Sequence, residues 1–259
     1  PREKDGAALR PGQWLRVTRI VEKRGAETFT RWVPELGPQL AFLALDAVEG
    51  GIRVMIGGDD FSLHPFNRAT QALRPIGSTI KPFIAAIGLQ EGVFNEQDRF
   101  TNKRLSFRGA SGSPWVPRNY TGGYDGEDYL VEEALMLSIN TIAIQMLSRI
   151  GILAAVSALE TIGFRKPLPR DLSLALGSNG ETLAALVAHY AAFVTDGERP
   201  EPYLIERVVS VEGHTLFAHA SSRRRVLPAG IARSVARMLR RVVSEGTGRA
   251  AAIEGHTIG

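Results

Sequence analysis

The sequence contains no cysteine, and this absence removes several kinds of chemistry at once. A chain without thiols cannot form disulfides, use a cysteine nucleophile or bind a metal through thiolates. The absence does not fix the compartment, because an exported protein need not carry disulfides. Composition alone therefore leaves the location open.

Long apolar runs and metal-binding patterns are also missing. No stretch of about 18 apolar residues and no signal peptide occurs, so these residues alone neither span a membrane nor direct export. The histidines show no recognised metal-ligand spacing, and we expect no metal and no cofactor. They are His64, His189, His214, His219 and His256.

The charge of the chain is only slightly positive, at a formal +4. Its densest basic run, Arg223–Arg225, lies near Pro228 and Gly230 in a predicted loop, without interleaved aromatic residues. That pattern favours a solvated surface over a nucleic-acid site, and we expect no nucleic-acid partner. With 44% hydrophobic and 22% charged residues, the chain has the composition of a globular protein with a sizeable core.

Strand-like and helix-like segments alternate in a simple order. Apolar runs separated by glycine-containing turns predict hairpins from residues 39–45 with 52–56 and from 203–211 with 215–218, after a strand-like run at 14–21 that ends in a charged turn at 22–25. Helical periodicity predicts helices at residues 78–91, 127–137, 141–149, 153–162, 182–195 and 229–244. Strands at both ends with helices between them indicate an α+β fold with a mainly antiparallel sheet flanked by helices.

The segment Gly77-Ser78-Thr79-Ile80-Lys81-Pro82-Phe83 places a hydroxyl and an amine three residues apart, which makes them neighbours on a helix. Ser78 is a candidate N-cap, and Pro82 predicts a distorted helix start. One interpretation is a serine nucleophile with a lysine base whose pKa is lowered by burial or a nearby positive charge. The other is a capping serine followed by a solvated lysine, since such a spacing arises by chance in about one such chain in three.

Two further stretches of the sequence can be interpreted together with the Ser-x-x-Lys segment. Residues 94–128 are poor in apolar side chains and rich in Gly, Ser, Pro and Asn, and a connection of that length often lines a site. Ser138-Ile139-Asn140 lies at a junction between two predicted helices, where it could be an ordinary cap of the second helix.

In this order, Ser-x-x-Lys followed by Ser-x-Asn resembles the signature of the penicillin-recognising serine acyltransferases. The resemblance is to the transpeptidase domain of class A, bifunctional penicillin-binding proteins, and it covers residues 34–259, while residues 1–33 resemble a linker or the remnant of a small β-rich domain. It implies the penicillin-binding fold, with a helical subdomain beside the sheet. The segments that carry it are Asn67-Arg68-Ala69, Gly77 to Phe83, Trp115-Val116-Pro117-Arg118-Asn119-Tyr120, Ser138-Ile139-Asn140-Thr141, Leu174-Ala175-Leu176-Gly177 and Gly246-Thr247-Gly248-Arg249-Ala250.

The resemblance also implies roles for four residues. Ser78 would be the acylated nucleophile and Lys81 the base that takes its proton. Ser138 would relay the proton to the leaving amine, and Asn140 would bind the amide of a peptide stem or of a β-lactam. The implied substrates are peptidoglycan stem peptides ending in D-Ala-D-Ala, and the implied inhibitors are β-lactam antibiotics.

The sequence departs from the family in one respect, because Lys-Thr-Gly and Lys-Ser-Gly do not occur. The family carries this motif on a strand soon after the Gly-Thr-Gly-like segment, and the chain stops at Gly259. We therefore expect that the last strands are absent from the residues given, and that these residues alone react slowly. By the same resemblance we expect a membrane anchor and a glycosyltransferase domain upstream, and a location on the extracytoplasmic face of the inner membrane.

Three alternatives share part of this signature. A class A serine β-lactamase uses a glutamate to activate the deacylating water. Its Glu-x-x-Leu-Asn pattern is absent, and Glu160 and Glu181 lie in helix-like segments without it, which favours transfer to an amine. A non-enzymatic penicillin sensor would be acylated without cross-linking stems, and the segments from Asn67 to Tyr120 count against it. A pseudoenzyme is favoured only if the complete gene lacks Lys-Thr-Gly.

Overall fold

The computed structural model describes residues 17–24, 27–34, 39–58, 61, 65–108 and 112–259. Helices and strands are mixed along this part of the chain. The α-helices are α1 (Lys81–Gln90), α2 (Val131–Met136), α3 (Asn140–Ile150), α4 (Ile152–Ile162), α5 (Leu183–Val194) and α6 (Ala229–Ser244). Short 3-10 turns are formed by Gly77–Ile80, Leu172–Leu176 and Arg249–Ala251.

The strands of the described residues pair two by two, and each pair is antiparallel. The pairs are β1 (Val17–Arg24) with β2 (Glu27–Pro34), β3 (Phe42–Leu45) with β4 (Ile52–Ile56), β5 (Arg74–Pro75) with β10 (Gly180–Glu181), β6 (Arg99–Thr101) with β9 (Asp128–Leu130), β7 (Phe107–Arg108) with β8 (Pro114–Trp115), β11 (Glu198–Pro200) with β14 (Arg223–Arg225), and β12 (Arg207–Val209) with β13 (Thr215–Ala218). The predicted α+β class with antiparallel pairing is confirmed.

Both predicted hairpins are present; their second strands have the predicted bounds, and their first strands are shorter than predicted. The second hairpin begins at Arg207 rather than at residue 203, and Tyr203 instead forms a bridge with Gly51, in the turn of the first hairpin. The two hairpins are thereby joined through Tyr203, whose ring also stacks on His219 with centroids 3.8 Å apart.

Helix α1 forms the centre of the core. Apolar side chains occur on every face of this helix, so it is buried on all sides against α3, α4 and α6. The ring of Phe83 lies edge-on to that of Phe164, with centroids 5.0 Å apart. Because α1 is surrounded by apolar groups, a polar side chain at its first turn is buried as well.

The start of α1 is distorted, as the proline predicted, but the predicted N-cap is wrong. Ser78 lies inside the 3-10 turn Gly77–Ile80, where its side chain caps nothing, and its carbonyl accepts a hydrogen bond from the Lys81 amide. Pro82 is accommodated because the first amides of a helix have no intrahelical acceptor.

Close contacts from two other segments hold this 3-10 turn in place. The Gly77 amide donates to the Gly177 carbonyl at 3.1 Å. Gly177 has φ +69°, and a Cβ there would lie 2.1 Å from the Gly77 carbonyl oxygen, so both its backbone conformation and its packing require glycine. The Tyr190 hydroxyl donates to the Thr79 carbonyl at 2.8 Å. The backbone on both sides of Ser78 is therefore fixed by α5 and by the turn before Gly177.

Two other sequence predictions need correction. The helix predicted at 127–137 begins only at Val131, because Asp128–Leu130 pairs with β6 as a strand and the Glu133 carboxylate accepts the Leu130 amide at 2.8 Å. The charged turn predicted at residues 22–25 is wrong from Glu22 to Arg24, which continue β1 in its pairing with β2. Residues 14–16 and 25 lie outside the described residues, and the division at residue 33 stays a prediction.

Within the described ranges, no single helix is both long and apolar enough to cross a bilayer. Helices α3 and α4 together reach the required length and composition, but the chain bends by 96° between them.

A buried polar cluster lies next to Phe83 of α1. His189 is fully buried, and its Nδ1 accepts a hydrogen bond from Arg199 Nε at 3.1 Å. Since an arginine side chain cannot accept a proton, this bond fixes the neutral imidazole with its proton on Nε2, which faces the Glu181 carboxylate at 3.8 Å. Burial lowers the pKa of His189, and the nearby cations Arg199 and Arg224 lower it further. The Glu181 carboxylate raises this pKa, but the net effect is a pKa below the ordinary value.

The cluster predicts a loss of stability below neutral pH. In the unfolded chain His189 takes up a proton below about pH 6.5, whereas the folded chain resists it, so its contribution is complete above that pH and decreases as the pH falls. We expect the free energy of unfolding to decrease between pH 7.5 and 5.5 through this group. Urea unfolding at the two pH values measures it.

His189→Gln is the control, because glutamine offers a donor and an acceptor but does not titrate. This variant should be less stable at both pH values. Its free energy of unfolding should also depend less on pH, because the contribution of His189 is removed. An unchanged pH dependence in His189→Gln would contradict the assignment.

Candidate active site

The Lys81 ammonium lies at the junction between α2 and α3. Its Nζ donates to the Ser138 carbonyl at 2.7 Å, to Ser138 Oγ at 3.0 Å and to Asn140 Oδ1 at 2.7 Å. The residue is 2% exposed, and these three acceptors match the three donors of an ammonium group. The structure thus joins three of the four predicted site residues by direct hydrogen bonds.

Ser138 has a backbone conformation that is unusual for a serine. It follows the end of α2 with φ +53°, its amide donates to the Leu135 carbonyl at 3.0 Å, and the Ile139 amide donates to the Ala134 carbonyl at 2.9 Å. This is the Schellman ending of a helix, in which the left-handed position is usually glycine. The buried Ile139 supplies the apolar contact typical of the motif. The left-handed turn brings both oxygens of Ser138 to Lys81.

Asn140 is the first residue of α3, and both ends of its amide are engaged. Its Oδ1 accepts from Lys81 and its Nδ2 donates to the Arg118 carbonyl at 2.7 Å. Because a carbonyl oxygen can only accept, the Arg118 contact fixes which end of the amide faces Lys81. One N–H of the Asn140 amide remains for a further acceptor.

Ser78 lines the same open cavity as Ser138 and Asn140. The cavity has a volume of about 720 Å³, and the exposed Ser78 lies at its wall. Among the described residues, no hydrogen bond joins Ser78 Oγ to Lys81 Nζ. The other lining residues are Asn102, Arg118, Asn119, Tyr120, Thr121, Asp125, Tyr129, Leu137, Ile139 and Thr247.

The hydrogen bonds at Lys81 suit both protonation states of the amine. The Ser138 carbonyl and Asn140 Oδ1 can only accept, so they occupy two N–H groups in either state. The Ser138 hydroxyl can accept from the ammonium or donate to the lone pair of the neutral amine. Proton exchange with Lys81 therefore has one reversible partner in this arrangement, which is Ser138.

Burial lowers the pKa of Lys81 to about 8. Within the described chain, no carboxylate pairs with its Nζ to oppose this effect. At pH 7, about one molecule in ten then carries a neutral amine, compared with about four in ten thousand for an ordinary lysine. The interpretation of Lys81 as a solvated surface residue is wrong.

The sequence analysis missed two buried asparagines. Asn119 and Asn102 are 8% and 5% exposed and link the segment 102–127 to the start of α3. The resemblance includes Asn119 within the segment Trp115 to Tyr120, and no sequence pattern singles out Asn102. The one available signal was the high asparagine content of a long connection, which does not distinguish buried side chains from those in surface turns.

We expect Lys81 to titrate near pH 8 in the folded chain. The ¹³Cε resonances of labelled lysines report amine protonation, and the sequence has only five lysines, so the resonance of Lys81 should be resolved. Lys81→Arg removes the resonance and assigns it. A Lys81 midpoint of about 10.4, the value of an unperturbed lysine, would contradict the burial effect.

A matched pair of substitutions separates the backbone of Ser138 from its hydroxyl. Both Ser138→Ala and Ser138→Gly remove the hydroxyl, but only glycine relieves the left-handed conformation, which costs other residues about 1–2 kcal/mol. We expect Ser138→Gly to be more stable than Ser138→Ala by about 1 kcal/mol in urea unfolding. Equal stabilities would mean that the left-handed conformation carries no cost here.

The chain is similar to known proteins over most of its length. The family model of the penicillin binding protein transpeptidase domain matches residues 40–259. Penicillin-binding protein 1A of Neisseria lactamica is 36% identical over 188 residues, which are 71% of this chain and 23% of that protein. Penicillin-binding protein 1A of Neisseria gonorrhoeae is 35% identical over 239 residues, which are 88% of this chain and 29% of that protein. The chain thus spans about a quarter of the length of these relatives.

Solved structures show the same fold. Penicillin-binding protein 1A of Haemophilus influenzae superposes with a TM-score of 0.79 at 25% identity, covering 90% of this chain and 41% of that one. Penicillin-binding protein A of M. tuberculosis, in an imipenem acyl-enzyme complex, superposes with a TM-score of 0.73 at 20% identity over 84% of this chain and 60% of that one, which is a likeness of fold alone. From the match over residues 40–259 and the relatives above 30% identity, this chain belongs to the penicillin-binding protein transpeptidase domain family.

Proposed function

We propose that the protein containing this chain is a peptidoglycan D,D-transpeptidase that acts through an acyl-enzyme on Ser78 and is inhibited covalently by β-lactams. One observation carries the proposal: a buried lysine of lowered pKa hydrogen-bonds the Ser-x-Asn junction at a cavity whose wall carries an exposed serine. A base, a proton relay and a nucleophile are the groups that acyl transfer requires.

In the acylation step, Ser78 Oγ attacks the carbonyl carbon of the penultimate D-alanine. The new C–O bond forms as the hydroxyl proton passes to the neutral amine of Lys81. The C–N bond to the terminal D-alanine then breaks, and the leaving amine receives a proton through the Ser138 hydroxyl. Hydrogen bonds between nucleophile and base are often absent without substrate, so the resting geometry of Ser78 is compatible with this step.

In the second step, the amine of another stem peptide attacks the ester carbonyl carbon, and a C–N bond forms as the amine loses a proton to Lys81 through Ser138. The C–O bond to Ser78 then breaks, and Ser78 Oγ takes up a proton from Lys81, which regenerates the hydroxyl. Asn140 supports binding through its unengaged N–H, which can donate to a carbonyl of the stem. A β-lactam follows the first step, but its leaving amine stays attached after the ring opens and can hinder the second attack.

Two donors would stabilise the oxyanion in this scheme. The backbone amide of Ser78 is one, and the strand carrying Lys-Thr-Gly in this family would supply the other. One such donor is worth about 100- to 1,000-fold in rate, so the decisive assays belong to the complete protein. We propose its location as the extracytoplasmic face of the inner membrane, and its partners as peptidoglycan stem peptides, with an upstream membrane anchor and glycosyltransferase domain.

We expect a penicillin to label Ser78 in the complete protein. Mass spectrometry of peptides from penicillin-treated protein should place the adduct on the peptide containing Ser78, because this hydroxyl is the exposed nucleophile of the cavity. Ser78→Ala should abolish the adduct. An adduct elsewhere, or one that persists in Ser78→Ala, would contradict the assignment.

Lys81→Arg is the companion variant, because arginine keeps the positive charge but cannot become the base at neutral pH. It should not be acylated. Cross-linking of stem peptides then separates a transpeptidase from a penicillin sensor, since a sensor would be labelled at Ser78 without forming cross-links.

A further inference from the structure

The residue pair Arg118 and Asn119 holds the start of α3 at two points. The Arg118 carbonyl accepts from the Asn140 side-chain amide at 2.7 Å. Asn119 Oδ1 accepts from the backbone amides of Asn140 at 3.0 Å and Thr141 at 3.3 Å. One short stretch of the long connection thus contacts both the side chain and the backbone of Asn140.

The start of α3 needs this outside partner. The first amides of a helix have no acceptor within the helix, and its N-cap residue here is Ile139, whose side chain has no acceptor to offer. Asn119 supplies the missing acceptor from 21 residues earlier in the chain. If Asn119 Oδ1 were removed, the backbone amides of Asn140 and Thr141 would lose this acceptor.

Asn119 is itself immobilised. It is 8% exposed, and its Nδ2 donates to Asn102 Oδ1 at 2.7 Å and to the Gly123 carbonyl at 2.9 Å. These two bonds and the two accepted by Oδ1 use the full capacity of the amide. The position and the orientation of Asn119 are therefore both determined.

Asn102 extends the network to the cavity wall. It is 5% exposed, its Oδ1 also accepts from the Thr141 hydroxyl at 2.8 Å, and its Nδ2 donates to Asp125 Oδ1 at 3.0 Å. Asp125 in turn accepts the Tyr129 hydroxyl at 2.8 Å. A continuous chain of hydrogen bonds therefore runs from the cavity rim through two buried asparagines to the helix that carries Asn140.

We propose that Asn119 is a positioning residue for the reaction, which sets the protonation equilibrium and the reactivity of Lys81 by holding Asn140 and the Ser138 junction in place. The proposal rests on the function proposed above. Within the described part of the chain Asn119 makes no hydrogen bond to Lys81, and it acts through Asn140, whose Oδ1 accepts from Nζ at 2.7 Å. The ionisable groups that line the cavity are Arg118, Tyr120, Asp125 and Tyr129, and none of them hydrogen-bonds Nζ among the described residues.

Two substitutions at this position should change Lys81 in opposite directions. Asn119→Ala releases Asn140, so a lysine that stays buried in the core loses an acceptor for its charged form, and its midpoint should fall by about one pH unit. Asn119→Asp keeps an acceptor for the α3 amides and adds a negative charge near the ammonium, so the midpoint should rise.

Gln145→Ala is the matched control. Gln145 lies one turn further along α3 and also ties the helix to the connection, because its Nε2 donates to the Thr101 carbonyl at 2.9 Å. Its removal deletes this bond and a second one, which Nε2 donates to the Thr141 carbonyl at 3.2 Å, and leaves the hydrogen bonds of Asn140 in place. Gln145→Ala should lower thermal stability while leaving the Lys81 midpoint unchanged.

The test uses ¹³Cε-lysine titration of each variant, followed by the pH dependence of acylation by a fluorescent penicillin in the complete protein. At a pH high enough for Lys81 to be neutral in every variant, we expect acylation to be at least tenfold slower in Asn119→Ala, because Asn140 and Ser138 are no longer held in place, and to change less than twofold in Gln145→Ala. The pH–rate midpoints should follow the titrations. A general loss of structure would lower the rate at every pH without moving the midpoint.

Unmoved midpoints in both Asn119 variants, or an equal movement in Gln145→Ala, would overturn the proposal. If Asn119→Ala does not fold, the direction of the Asn119→Asp titration decides. The titration requires no acylation, so it tests the positioning role even if penicillin does not label Ser78, which is the outcome that would defeat the proposed function.

Discussion

The buried ammonium of Lys81 requires three hydrogen-bond acceptors from the surrounding structure. An ammonium shielded from water is very costly unless each of its donors finds an acceptor. Helix α1 cannot provide these acceptors, because its own backbone groups are used within the helix and its other side chains are mostly apolar. They come instead from Ser138 and Asn140, at positions 57 and 59 residues further along. The acceptors that the Lys81 ammonium requires thus tie α1 to the junction between α2 and α3.

Two polar clusters contact the residues of α1, and they differ in whether a proton can move. At Lys81, the Ser138 hydroxyl can exchange donor and acceptor roles, so the cluster has two states of similar geometry. At His189, the partner is Arg199, which does not lose its proton, and a single state is fixed. The first cluster lies at the cavity that Ser78 also lines, whereas Glu181 of the second lies at the wall of a separate cavity. One apolar helix therefore contacts both a cluster in which a proton can move and a cluster in which the proton is fixed.

The sequence predicted the helices well and their ends less well. Helix α6 was predicted at its observed bounds, because its apolar and charged residues alternate with a clear helical period. The start of α2 was missed because Asp128–Leu130 gains partners in β6, which is a tertiary effect that no local pattern records. The pairing of Ser78 with Lys81 was noted from spacing alone, whereas the direct contacts of Lys81 with Ser138 and Asn140 depend on a left-handed serine. The roles of Asn102 and Asn119 required coordinates, because asparagine is equally common in exposed turns.

The left-handed conformation of Ser138 has a consequence for how sequences of this family can be compared. Backbone geometry alone favours glycine at that position, whereas the hydrogen bond that Lys81 Nζ donates to the side chain requires the serine hydroxyl. Glycine would relieve the left-handed conformation but would leave one N–H of the buried ammonium without its acceptor. Sequence surveys could therefore treat glycine at the first position of the Ser-x-Asn triplet as a change that keeps the turn after α2 and loses the hydroxyl partner of the lysine.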